Sequence, residues 1–193
     1  MNFNAACKVA FAGFLRCREF TYLAFDYKDR YTFMNTKLTR NDVSFSEDNT
    51  YAILRLKRSK ADVEHHSVDI ILSTTNNQCC PVTALKNLFT CDPQPPTAPL
   101  FQLDGGLCDS TTFIALLRER LHDIGDPRTD YYSGHSFRQG AAQHAADYGI
   151  THYDIQRLGR WSSKAFKLYF HESHANLYSL NKRFLTGTAL ALH

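Results

Sequence analysis

No run in this 193-residue chain reaches the roughly 18 uninterrupted apolar residues that a membrane-spanning helix needs. The apolar start is not a secretory leader either. Met1-Asn2-Phe3-Asn4 carries no basic residue, and Gly13-Phe14-Leu15-Arg16 offers no small-residue cleavage site. Internal repeats and low-complexity tracts are missing. The six cysteines (Cys7, Cys17, Cys79, Cys80, Cys91 and Cys108) include no C-x-x-C pair, which argues against a zinc knuckle and against a disulfide framework. They read instead as buried free thiols of a reducing compartment. Among nine histidines, His171-x-x-His174 has helical spacing, but no carboxylate or cysteine cluster completes a ligand set, so neither a metal nor another cofactor is expected. A formal charge of +3 permits a nucleic-acid partner without requiring one.

What is present is ample core material. Apolar residues make up 44% of the chain and aromatics 13%, enough for one packed domain spanning 1–193. Phe3, Ala6, Val9, Ala10, Phe14, Leu15 and Leu23 suggest a helix over 3–24 that is apolar on most sides, followed by a polar loop over 26–40. Three short runs, 42–45, 51–56 and 67–72, read as strands, with a basic hairpin tip, Lys57-Arg58-Ser59-Lys60-Ala61-Asp62, between the last two. Pro81 opens a helix to about Phe89. Leu100-Phe101-Gln102 is extended, and Asp109-Ser110-Thr111-Thr112 caps an amphipathic helix through Ile124. Short helices are expected over 135–148, 152–160, 163–170 and 174–184. The fold class is therefore α+β, mainly α, with a small three-stranded antiparallel sheet.

The chemistry concentrates late in the chain. Gly134-His135-Ser136-Phe137-Arg138 places a proton acceptor and a planar cation three residues apart, on one face if helical. Such a pair suits a phosphate diester, because a guanidinium forks onto phosphate oxygens. Leu158-Gly159-Arg160-Trp161 adds an indole N–H donor, and Tyr169 a phenol that can act as a nucleophile.

In this order, these segments resemble the catalytic domain of tyrosine recombinases, the phage-integrase type of DNA breaking-and-rejoining enzyme. Arg16, with Glu19 three residues on, is similar to the family's first arginine box. Ser59-Lys60-Ala61-Asp62 resembles its hairpin lysine, His135-x-x-Arg138 its H-x-x-R box, Leu158-Gly159-Arg160-Trp161 the box holding His or Trp, and Tyr169 its nucleophile. Arg160-Trp161-Ser162-Ser163 and Cys80-Pro81-Val82 look most like recombinases of eukaryotic mobile elements, the Cryptons and tyrosine-recombinase retrotransposons.

The resemblance implies that Arg16 and Arg138 bind the non-bridging oxygens of the scissile phosphate. By the same resemblance Lys60 would protonate the leaving 5′ oxygen, and His135 would hydrogen-bond the phosphate or accept the tyrosine proton. It likewise implies that Trp161 donates to a phosphate oxygen and that Tyr169 forms a 3′-phosphotyrosyl bond. Arg18 is the rival to Arg16, Lys57 the rival to Lys60 and Tyr178 the alternative to Tyr169. Trp161 and Tyr169 stand one residue closer together than is usual in prokaryotic members.

Backbone contacts to double-stranded DNA are expected from Arg40, Arg55, Lys57, Arg58, Arg118, Arg157, Arg160, Lys164 and Lys167. The chain begins at the first arginine helix, so the family's N-terminal core-binding domain is expected to be absent. Further expectations are a monomer that forms a tetramer on DNA, nuclear localisation and no membrane association. Leu177, Leu180, Phe184 and Leu185 form an apolar stripe for docking on the chain's own domain or on a neighbour. The alternative function is a catalytically silent DNA-binding module derived from such a recombinase. A metal-dependent hydrolase built on the histidines is a more distant one.

Overall fold

The first helix, α1 (Asn2–Ala12), buries Ala5, Ala6, Val9 and Ala10, the spacing of a single helical stripe. It stops twelve residues short of the expected end at 24. Gly13 N–H donates to Val9 O at 2.9 Å and Leu15 N–H to Ala10 O at 2.8 Å, while Phe14 takes a left-handed φ of 51°. The chain then forms one helical turn, α2 (Cys17–Phe20), and leaves it extended. Leu15, Cys17, Phe20 and Tyr22 are all buried, too many directions for one helical stripe. A segment apolar all round signals complete burial, and a turn followed by an extended strip buries these four side chains as well as a helix would.

The computed structural model describes residues 2–57, 67–103, 106, 108–163, 178, 182 and 185. The expected loop over 26–40 contains a 3₁₀ turn, Ala24–Lys28, then α3 (Arg30–Thr36) and a second 3₁₀ turn, Arg40–Asp42. Asp29 starts α3 by accepting from Tyr31 N–H at 3.0 Å and from the Thr32 hydroxyl at 2.5 Å.

The sheet agrees with the sequence expectation. Strands β1 (Val43–Phe45), β2 (Tyr51–Leu56) and β3 (Val68–Ser73) pair antiparallel in the order β1-β2-β3, with Leu54 opposite both Val43 and Ile70. Ala52, Leu54, Leu56, Ile70 and Leu72 face inward, and Arg55 and Asp69 pair on the outer face at 2.8 Å.

Helix α4 (Pro81–Cys91) has Pro81 in its first turn, and α5 (Ser110–Asp123) begins where Asp109 accepts from Thr111 N–H and Thr112 N–H. One hydrophobic core joins α1, the 15–22 segment, the inner sheet face, α4 and Phe113 of α5. Burial pushes the Cys17 thiol up to about 11 and the Cys108 thiol up to about 12, so both pack as neutral groups. All six cysteines are free, but Cys79 and Cys91 are exposed and Cys7 half-buried, so the expectation of burial holds only for Cys17, Cys80 and Cys108.

The chain divides into two compact units, Met1–Arg138 and Gln139–His193. Helix α6 (Ser136–Asp147) begins at the end of the first. In the second, Gly149 at φ 77° follows α6, and α7 (His152–Leu158) is capped by the Thr151 hydroxyl, which accepts from Asp154 N–H at 3.1 Å. The helices expected over 163–170 and 174–184 fall almost wholly outside the described residues. No helix among the described residues is long and apolar enough to cross a membrane.

Candidate functional site

Two segments far apart in sequence are stitched together in the first unit. Cys17 N–H donates to Gly134 O at 3.0 Å, and Arg138 Nη1 donates to Phe14 O at 3.2 Å. Arg16 lies within the first segment and His135 within the second, so the two bonds bring both arginines and the histidine into one neighbourhood. The close approach favours glycine at 134, where a Cβ would stand a tight 3.2 Å from the Cys17 Cβ.

The register of the second segment is set by Phe137, the residue inside the H-x-x-R box. Its ring packs on Phe20 of α2 at 6.4 Å and on Phe113 of α5 at 6.0 Å. Sequence reasoning missed this aromatic anchor, although an apolar residue between a histidine and an arginine was its available signal.

The three polar side chains differ in exposure. Arg16 is open, with 44% of its side chain exposed and Nη1 3.5 Å from Glu19 Oε1. Glu19 also accepts from the Arg16 amide at 2.7 Å, which closes the start of α2. His135 is exposed at the foot of α6, where its main-chain N–H donates to Ser133 Oγ at 3.3 Å. Ser133 and Ser136 bond reciprocally, Ser133 N–H to Ser136 Oγ at 2.8 Å and Ser136 N–H to Ser133 O at 3.1 Å. Arg138, by contrast, is 2% exposed. Phe14 holds its carbonyl toward this guanidinium from a left-handed backbone, a conformation costing about 1–3 kcal/mol for a non-glycine residue. Arg18, the rival to Arg16, is exposed on α2.

Lys60, Arg58, Lys164, Lys167 and Tyr169 lie outside the described residues. Lys57 is described, and it is engaged: its Nζ is 2.6 Å from Asp42 Oδ2 and 3.2 Å from the Thr39 hydroxyl. The same carboxylate oxygen accepts Thr39 N–H and the Thr39 hydroxyl, each at 2.7 Å. Asp42 is 6% exposed, so removing its cation leaves a buried charge. Lys57→Met is therefore expected to cost about 3 kcal/mol in urea denaturation, and Lys57→Met with Asp42→Asn should recover more than half of that.

Arg40 departs from the expectation of a DNA-backbone contact. Its side chain is 2% exposed, its Nη2 is 2.8 Å from Asp92 Oδ2, its Nη1 donates to Asp92 O at 3.0 Å, and its guanidinium lies 5.2 Å from the Phe89 ring centre. With Nε, Nη1 and Nη2 all bonded and its charge met by Asp92, this guanidinium has no fork to offer a phosphate. Lys57 is tied to Asp42, and Arg118 turns to main-chain carbonyls at 130 and 132. Arg55 and Arg157 are exposed, paired with Asp69 and Asp154, and Arg157 also lies over the Tyr153 ring.

In the second unit, the Trp161 main-chain N–H donates to Gln156 O at 3.1 Å, and Gln156 Nε2 donates back to Trp161 O at 3.0 Å. Arg160 takes a left-handed φ of 57°, with Nη1 3.3 Å from Leu158 O. This turn folds the indole over Gly159 so closely that a Cβ there would fall inside the ring. Tyr178 is exposed. Among the described residues, no group of three or more histidine, cysteine or acidic side chains is arranged to hold a metal ion.

No protein-family model matches the chain, and no curated protein matches it in sequence. Solved structures match it in fold. The crystal structure of XerA recombinase superposes with a TM-score of 0.64, at 18% identity over 95% of this chain and 56% of that one. The Tn1549 transposon integrase, solved in complex with transposon right end DNA, superposes with a TM-score of 0.53, at 13% identity over 94% of this chain and 58% of that one. The present chain thus spans just over half the length of either structure. The mainly helical architecture with its three-stranded antiparallel sheet is the tyrosine-recombinase catalytic domain fold.

Proposed function

We propose that this chain breaks and rejoins DNA strands through a covalent phosphotyrosine, as a recombinase or transposase. One observation supports the reading: the segments 14–17 and 134–138, which carry Arg16, His135 and Arg138, are hydrogen-bonded to each other. Likeness in fold to XerA recombinase and to a DNA-bound transposon integrase supports it.

In this reading Arg16 forks onto the non-bridging oxygens of the scissile phosphate from the solvent side. Arg138, fixed by Phe14, adds positive charge in low-dielectric surroundings, where it acts more strongly on a developing dianion. His135 hydrogen-bonds the phosphate or takes the phenol proton. Tyr169 Oη forms a bond to phosphorus as the bond to the 5′ oxygen breaks, and Lys60 gives that oxygen its proton. The phosphotyrosyl ester conserves the energy of the broken diester, so a second 5′-hydroxyl rejoins the strand by the reverse step. Trp161 donates its N–H to the phosphate. Since Lys57 is committed to Asp42, Lys60 is the better candidate for the acid. A tetramer on DNA, a nuclear site of action and an origin in eukaryotic mobile elements belong to the same proposal.

The test is incubation with nicked duplexes carrying a randomised core, so that the departing fragment diffuses away and traps the intermediate. A denaturant-resistant protein–DNA adduct is expected, mapping to the Tyr169 peptide and missing in Tyr169→Phe. An adduct at Tyr178 would reassign the nucleophile. DNA retention without any adduct across the library would make the chain a silent binding module.

A further inference from the structure

We propose that Arg118 is a positioning residue for His135 and not a contact to the DNA backbone; the proposal rests on the recombinase reading above. Arg118 projects from α5 toward the chain that leads into the H-x-x-R box. Its Nε donates to Tyr132 O at 3.0 Å, and its Nη2 donates to Tyr132 O at 2.8 Å and to Asp130 O at 3.0 Å. Three bonds to two carbonyls need a planar fork, which a lysine ammonium does not have. The turn is tied from below as well. The Tyr132 hydroxyl donates to Asp126 Oδ2 at 2.7 Å, and Arg128 N–H donates to Asp126 Oδ1 at 2.8 Å.

Only Ser133 and Gly134 separate this clamp from His135. The Gly134 carbonyl is taken by Cys17 N–H. His135 itself is exposed, so its place is set by main chain on both sides: α6 after it and the clamped 130–132 turn before it. The base of the clamp is firm. Helix α5 is capped by Asp109, and its Phe113 packs on Phe20 at 5.0 Å and on Phe137 of the box at 6.0 Å. Arg118 and the H-x-x-R segment therefore share one rigid support, and the guanidinium sets the distance between them.

The experiment uses a nicked duplex selected by the adduct assay. Affinity, its salt dependence and the single-turnover rate of adduct formation are measured for Arg118→Lys, Arg118→Met and Tyr132→Phe. Wild-type affinity and salt slope are expected to persist in all three. The rate should fall by about 10- to 100-fold in both Arg118 variants, and less in Tyr132→Phe, which loosens the same turn with almost no change of shape. The decisive readout is Arg118→Met placed on His135→Gln. A residue acting through His135 costs almost nothing further there, whereas a general structural defect lowers the rate by the same factor in both backgrounds.

Three results would overturn the assignment: a salt slope shallower by about one unit with weakened binding, which marks a lost phosphate contact; an unchanged rate in Arg118→Lys; or equal factors in both backgrounds. Failure of the underlying reading is separate, because it appears as the absence of any adduct with the wild-type chain.

Discussion

Arg16→Ala is expected to slow adduct formation strongly and leave the fold intact, while Arg138→Ala should impair both. The contrast follows from where each guanidinium sits. Arg16 is exposed, and its side-chain pair with Glu19 at 3.5 Å is a surface pair worth at most about 1 kcal/mol. The contact that organises α2 comes from its main chain, the Arg16 amide donating to Glu19 at 2.7 Å, and alanine keeps that amide. Arg138 is 2% exposed and donates to Phe14 O at 3.2 Å. Truncation leaves a buried carbonyl short of a donor on a backbone already in a left-handed conformation, and it empties the volume of a long side chain. The expected cost is about 3–5 kcal/mol, a large fraction of a small domain's stability. Arg138→Lys should recover part of this, because it keeps the charge and much of the volume. Arg16→Ala should lower the rate by about 10²–10³, the effect of removing one donor from a transition-state oxyanion, whereas Arg138→Ala removes a buried charge that acts without touching the phosphate. Urea melts and adduct rates on the same proteins separate the two quantities. A strongly destabilised Arg16→Ala, or a fully stable Arg138→Ala, would contradict the division of labour between exposed and buried arginine.

The parts of this molecule that were legible in the sequence are those fixed by local chemistry. The apolar run over 51–56 marks a strand, Pro81 a helix start and Asp109 a helix cap, and each element forms within a residue or two of its expected bounds. What was not legible depends on partners distant in the chain. Nothing near Arg40 announces Asp92, 52 residues away, so a buried ion pair passes for a surface cation. Lys57 and Arg118 hide in the same way, because charge is visible in a sequence and its neutralising partner is not. The 13–24 segment fails for a different reason. Periodicity separates helix from strand only when one face is polar, and Leu15, Cys17, Phe20 and Tyr22 are all buried. Asp29 with Thr32 was a readable cap overlooked in a polar stretch. Within the candidate site, the residue types were readable as motifs, but the stitch that joins them was not, since it runs through the Phe14 and Gly134 carbonyls and any residue has a carbonyl.

Gly159→Ala should displace the indole of Trp161, and because this is the only tryptophan in the chain, its fluorescence reads the event directly. Helix α7 ends at Leu158, Gly159 N–H donates to Ile155 O at 2.9 Å, and left-handed Arg160 reverses the chain. The main-chain bond of Trp161 to Gln156 then lays the ring over the Gly159 α-carbon, in the space a methyl group would need. Backbone preference is not the obstacle, for Gly159 has an ordinary φ of −81° that alanine adopts freely. The conflict is with the ring, which must leave or push the turn open, an overpacking cost of about 1–3 kcal/mol. Emission should shift to the red, and collisional quenching should rise toward that of the unfolded chain. If the indole N–H acts on the phosphate, the adduct rate falls as well, and Trp161→Phe tells the two contributions apart. Phenylalanine keeps most of the packing and lacks the donor, so a rate loss in Trp161→Phe without loss of stability assigns the effect to the N–H. Equal rates in Trp161→Phe and wild type would reduce Trp161 to a packing residue whose partner is Gly159. An unchanged emission spectrum in Gly159→Ala would show that the ring does not lie on that α-carbon at all.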